Sequence, residues 1–309
     1  LFARWQPSRF LRHPSPSATG GRMPLTSHEV RFSLPHIEVA GKAWGEPGGL
    51  PVIALHGWLD NAATFDRVAP ALEGVHLVAL DLPGHGLSGH MPATGYSLWQ
   101  QAASVLQVAE DLGWERFALL GHSMGAIISG ILAGSLPERI IGAAMIDGLM
   151  PFTSEADDAP RQMARFFKSS LQLGSKRKPI YDSADKAISA RVLGGTTPIS
   201  REAAGCLVER GLMPHDGGWT WRTDPQLMLP SPLRLTQRHA VSFIENISAP
   251  ACLVLANQGV MHKHPEVLER INAFEHLQIH RIDGGHHLHL EAQALEVAAI
   301  LKDFYTSLS

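Results

Sequence analysis

Between residues 30 and 150 the hydrophobic positions alternate between two textures. Short apolar runs occur at 51–55, 75–80 (broken only by His76), 117–120 and 140–146. They are too short for helices and lack polar alternation, as expected of strands covered on both faces in a parallel sheet. Between the second and third runs lies a helical pattern. Ser97 and Gln100 form a capping box, Leu98, Ala102, Val105, Ala109 and Leu112 share one face, and Gly113 closes the element. Another helix, from Ala126 onward, follows the third run and stops at Pro137. Strands and helices alternating at this spacing predict a mostly parallel α/β sheet covered by helices on both sides.

The texture changes after Met150. Helical patterns at 160–170, 184–193, 200–211 and 232–247 are separated by Gly, Pro and basic stretches, and no buried strand is predicted among them. Alternation resumes with a strand at 251–256, a helix at 265–274, a strand at 277–282 and a closing amphipathic helix at 291–305. The expected organisation is a core of residues 23–150 and 245–309 with a helical cap, 151–244, inserted between two strands. Residues 1–22 carry Arg4, Arg9, Arg12 and Arg22 but no apolar h-region, and read as a disordered tail or as sequence upstream of a start at Met23.

Composition narrows the function. The chain has 309 residues, 45% of them hydrophobic, and a net charge of −3 from 26 basic and 29 acidic residues. That balance leaves no electrostatic footprint for nucleic acid, and no apolar run approaches the roughly 20 residues of a membrane span. Two cysteines, Cys206 and Cys252, argue against a disulfide scaffold and fit a reducing, cytoplasmic compartment. Of the 17 histidines, clusters such as His286-His287-Leu288-His289 bring no carboxylate or thiolate with metal-site spacing, so no metal site is expected. Oligomeric state leaves no mark in the pattern.

The chemistry concentrates where strands end. The run at 117–120 leads into Gly121-His122-Ser123-Met124-Gly125 and then a helix, the strand–turn–helix order of a nucleophile elbow. Trp58 follows the first buried strand in His56-Gly57-Trp58. Asp81 follows the second, in a loop with Gly84-His85-Gly86-Leu87-Ser88, and Asp147 follows the fourth. Gly284-Gly285-His286 follows the last strand. In an open α/β sheet, ligands bind at these carboxyl ends.

In this order, over roughly two thirds of the chain, the motifs resemble the landmarks of the α/β-hydrolase fold. The cap stretch Arg222-Thr223-Asp224-Pro225 with Leu229-Pro230-Ser231-Pro232-Leu233-Arg234 is similar to that of the serine hydrolase-like proteins. The resemblance implies a serine hydrolase that needs no cofactor and acts on a small ester-type substrate. Ser123 would attack and His286 would take its proton, with His287, His289 and His122 as the competing imidazoles. Met124 and Trp58 would supply the oxyanion-hole N–H groups, and His122, Trp219 and Trp221 are candidates for the substrate pocket. The family's usual acid position, after the strand at 251–256, holds Asn257-Gln258-Gly259-Val260-Met261 and no carboxylate. Asp147 is the preferred substitute, since haloalkane dehalogenases take their acid from the equivalent strand; Glu266, Asp224 and Asp283 are the alternatives. Thioester, amide and carbon–carbon hydrolysis remain open on the same triad. A non-catalytic binding protein of the same fold is the competing class, supported only by the missing acid.

Overall fold

The computed structural model describes residues 25–308, apart from 93, 94, 176, 196, 264–266, 269, 270, 272, 273, 275 and 276. The expected tail and Glu266 therefore lie outside the described residues, as does much of the helix predicted at 265–274.

Among the described residues there are ten strands. β1 (His28–Ser33), β2 (Glu38–Trp44), β3 (Leu50–Leu55), β4 (Val75–Leu80), β5 (Phe117–His122), β6 (Ile140–Ile146), β9 (Ala251–Ala256) and β10 (Leu277–Ile282) form one sheet in the order β1-β2-β4-β3-β5-β6-β9-β10. β1–β2 and β2–β4 pair antiparallel and the remaining neighbours pair parallel. The parallel strands are buried on both faces because a separate apolar layer covers each side. One layer packs Val105, Leu119, Ile128 and Leu253, the other Phe65, Leu120, Val254 and Leu301. Helices α1 (Leu98–Asp111) and α2 (Met124–Ser135) belong to the first layer, and α7 (Ala294–Thr306) to the second. The Ser97–Gln100 capping box at the start of α1 is formed as its sequence predicts.

Between β6 and β9 the chain builds α3 (Ala159–Leu173), α4 (Ala184–Gly194), α5 (Arg201–Gly211) and α6 (Gln237–Glu245). This stretch is not wholly helical, in contrast to the expectation. A hairpin, β7 (Leu212–His215) and β8 (Gly218–Trp221), lies between α5 and α6. Its turn is Asp216-Gly217, with Gly217 at φ 84°, and Asp-Gly between apolar residues is a hairpin signal in its own right. A second difference is at the C-terminal helix, which begins at Ala294 rather than at 291. Glu291 instead accepts a hydrogen bond from the Ser200 amide at 2.7 Å, tying the entry of α5 to the core.

The inserted segment is anchored by buried charge. Arg210 of α5 donates through Nε to both carboxylate oxygens of Asp81, at 3.0 and 2.8 Å, and through Nη1 to Glu29 at 2.7 Å. Asp81 also accepts from the amides of Ala62 and Leu87. Asp81 is thus the structural centre of its glycine-rich loop. No helix among the described residues is long and apolar enough to cross a membrane.

Candidate active site

Ser123 stands between β5 and α2 at φ 52° and ψ −113°, a backbone region that non-glycine residues occupy only when their surroundings enforce it. The surroundings do so by close packing. A Cβ at Gly125 would lie 1.9 Å from the Leu55 carbonyl oxygen, so only glycine lets α2 press against β3 here. The turn leaves Ser123 partly exposed while both flanking residues of β5, Gly121 and His122, are buried. Met124 is the first residue of α2, so its N–H is among the four with no intrahelical acceptor. Trp58 lies in the turn after β3, closed by the Asp60 amide donating to the Gly57 carbonyl at 3.1 Å. Its indole donates to the Leu227 carbonyl at 3.0 Å, a direct tie to the inserted segment.

Asp147 ends β6, itself at φ 42°. Its carboxylate is fully buried and meets His286 Nδ1 at 2.5 Å. The Val260 amide donates to the same oxygen, Oδ2, at 2.9 Å, and the Ala256 amide to Oδ1 at 3.3 Å. The loop after β9 therefore wraps the carboxylate instead of supplying one. Gly259 makes that wrap feasible: a Cβ there would fall 2.2 Å from Asp147 Oδ2.

The alternatives occupy other places. Asp224 accepts from the Tyr96 hydroxyl at 2.7 Å and caps the Gln226 amide at 2.9 Å. Asp283 is bonded to Asn257 on the exterior at 2.5 Å. Glu266 is outside the described residues. Among the histidines, His287 Nε2 lies 3.2 Å from Asp60 Oδ2, and His289 Nε2 bonds Thr64 Oγ1 at 2.8 Å. His122 points inward, its Nε2 donating to the His286 carbonyl at 3.0 Å. Its ring centroid stands 4.6, 5.0 and 4.3 Å from those of His286, His287 and His289. His122 thus braces the loop that carries His286 while it also borders the cavity beside Ser123. Burial holds His122 well below its ordinary pKa and pushes His289 down to about 3. Burial alone would raise the Asp60 carboxyl; neighbouring His287, with Arg191 and His56, outweighs it and holds the group at about 2.

Ser123, Met124, Trp58 and His286 all border one cavity of about 880 Å³, walled on its far side by Tyr96, Phe152, Phe166, Leu227 and Leu229. Trp219 and Trp221, expected in the pocket, are not among its lining residues. They pack in the hairpin's own small core with Tyr181, Ala187, Val208 and Leu212, because β7–β8 turns its indoles toward α4 and α5. Tyr96, Arg191 and Asp60 are among the polar lining residues that the sequence did not single out. Asp60 had a readable cue, as a carboxylate two residues past Trp58 in the turn after β3.

Comparison with known proteins agrees with this architecture. The model of the alpha/beta hydrolase fold family matches residues 51–171. A serine hydrolase-like protein of Dictyostelium discoideum is 31% identical over 271 residues, covering 82% of this chain and 75% of its own length. One from Danio rerio is 29% identical over 307 residues, covering 95% and 92%. The crystal structure of a hypothetical protein from Pseudomonas aeruginosa PAO1 superposes with a TM-score of 0.87 at 53% identity, covering 90% of this chain and 99% of that one. A thioesterase domain from the curacin biosynthetic pathway superposes with a TM-score of 0.78 at 25% identity, covering 89% and 99%. The chain belongs to the α/β-hydrolase fold family and, within it, to the serine hydrolase-like proteins.

Proposed function

We propose that the protein is a serine hydrolase that cleaves carboxylic esters or related small carbonyl substrates through an acyl-enzyme, with residues 151–244 acting as its cap. The observation that carries the reading is the 2.5 Å contact between Asp147 and His286, made at the edge of the cavity that also exposes Ser123. In this reading Ser123 Oγ attacks the carbonyl carbon while His286 Nε2 takes its proton. Asp147 fixes the tautomer through Nδ1–H and stabilises the imidazolium that forms. The Met124 and Trp58 amides receive the negative oxygen of the tetrahedral intermediate. The alcohol leaves with the proton from His286, and water attacking the acyl-enzyme returns the serine. No cofactor enters the cycle.

The largely apolar cavity wall favours an acyl or alkyl chain over a polar substrate. Thioesters are the second reading, favoured by the likeness to the curacin thioesterase domain. The free cysteines Cys206 and Cys252 are compatible with a cytoplasmic setting. Parallel turnover of p-nitrophenyl esters and acyl thioesters of matched chain length separates the two substrate classes. Turnover of neither by folded protein would contradict both readings and favour a binding role for the fold.

A further inference from the structure

Asp60, His122 and His287 each offer one ligand atom, all within 4.8 Å of one another, and all three residues are fully or almost fully buried and border the cavity beside His286. They come from three elements: the turn after β3, the end of β5 and the loop after β10. The chemistry of the group is fixed by its neighbours. His122 Nε2 faces the His286 carbonyl oxygen at 3.0 Å. A carbonyl only accepts, so Nε2 carries the proton and Nδ1 presents a lone pair. That lone pair is buried, has no hydrogen-bond partner among the described residues, and lies 3.7 Å from Asp60 Oδ2, another acceptor. Two lone pairs facing each other in a dry interior are costly unless something positive stands between them. The Gly57 backbone packs close beside them: a Cβ there would come within 2.9 Å of His122 Nδ1 and 3.2 Å of Asp60 Oδ2, so only glycine leaves these two atoms unobstructed.

We propose that Asp60 Oδ2, His122 Nδ1 and His287 Nε2 form a binding site for a divalent transition-metal ion, zinc best, and that its occupation inhibits the enzyme. The separations from Asp60 Oδ2, 3.2 Å to His287 and 3.7 Å to His122, are close to the roughly 3.3 Å edge of a tetrahedron with about 2.0–2.1 Å bonds. Two imidazoles and a carboxylate suit zinc, and the cavity side leaves a fourth position for water. Arg191 engages the other Asp60 oxygen, Oδ1, at 3.7 Å and so leaves Oδ2 to the ion. The sequence gives no metal spacing because the carboxylate and the histidines are far apart in the chain. The inhibitory sign rests on the serine-hydrolase reading. His286 must become cationic when it takes the Ser123 proton, and its ring lies 4.6 and 5.2 Å from those of His122 and His287. A dication held by those two rings opposes that charge.

Equilibrium dialysis of the full chain against zinc chloride tests the site directly. Close to one equivalent is expected, and cobalt(II) should give the intense visible absorption of a tetrahedral nitrogen–oxygen site. Asp60→Asn and His287→Gln, each checked for folding by circular dichroism, should weaken binding by more than the 10–100-fold typical of an outer-sphere partner. Ser123→Ala should bind zinc like the native chain. Failure of the native protein to take up stoichiometric zinc, or undiminished binding in a folded Asp60→Asn or His287→Gln variant, would overturn the site. Zinc should also lower kcat at least about tenfold, reversed by EDTA. Stoichiometric binding without inhibition would overturn the regulatory half alone, whereas loss of the hydrolase reading would leave the zinc titration untouched.

Discussion

Asp147 Oδ2 and His286 Nδ1 lie 2.5 Å apart although 139 residues separate them in the chain. Each is delivered by the carboxyl end of a strand or the loop behind it, and the last residue of β9 and the loop after it clasp the carboxylate with the Ala256 and Val260 amides. Replacing Asp147 with Asn should therefore lower kcat by on the order of 10³–10⁴, the loss typical of a triad aspartate, with KM little changed. Asp283→Asn and Asp224→Asn should keep kcat within about tenfold of the native value. Steady-state kinetics on a p-nitrophenyl ester decides it; native-like turnover by Asp147→Asn contradicts the assignment.

Gly259 offers a way to move the same carboxylate without changing its charge. An added Cβ would sit 2.2 Å from Asp147 Oδ2, so Gly259→Ala must displace either the loop or the acid. We expect a loss of kcat of on the order of 100-fold or more, consistent with the sensitivity of such sites to about 1 Å of misplacement. Circular dichroism should remain native-like. Full activity in Gly259→Ala would show that the clasp is dispensable.

Acid should destabilise the fold well before carboxylates titrate. Burial pushes His56 down to about 4 and His85 and His289 to about 3, and holds His122 well below 6.5. Between about pH 6.5 and pH 4 the unfolded chain binds protons that the folded chain refuses, so stability falls as pH falls across that window. Asp60, held at about 2, adds a second loss lower down, as pH drops through 3.8 toward 2. Differential scanning calorimetry should show Tm lower by more than about 5 °C at pH 5 than at pH 7. A Tm flat across this range would mean that these imidazoles are not held neutral.

The Arg210–Asp81 pair predicts how strongly the inserted segment is bound to the core. Arg210→Ala would leave Asp81 buried and deprived of its cation, a loss of about 3–5 kcal/mol. A fall in Tm on the order of 10 °C is expected. A change under about 2 °C would show that the pair contributes little beyond its desolvation cost.

Much of the core was legible because its strands are short apolar runs and each ends in a residue of distinct chemistry. Ser97 and Gln100 announced their helix by capping chemistry alone, and Asp147 was recognisable as a carboxylate ending a strand. What hid the rest was distance in the chain. Nothing local to Gly259 says that it makes space for a carboxylate from β6. Nothing local to Asp60 says that it faces His122 and His287. In the inserted segment, the Asp216-Gly217 turn lies between two helical patterns and its flanking strands are only four residues long, and the indoles of Trp219 and Trp221 went into the hairpin's own core instead of the cavity. Helical spacing extended the last helix back to Glu291, whereas Glu291 lies before it and bonds the Ser200 amide of another element.

The central claim, that Ser123 is a nucleophile activated by His286, is tested most directly by a fluorophosphonate probe. The native protein should be labelled at Ser123, as located by peptide mass spectrometry. Labelling should disappear in Ser123→Ala and fall sharply in His286→Ala, with both variants folded. Absence of labelling on the folded native protein, or labelling that persists in Ser123→Ala, would contradict it.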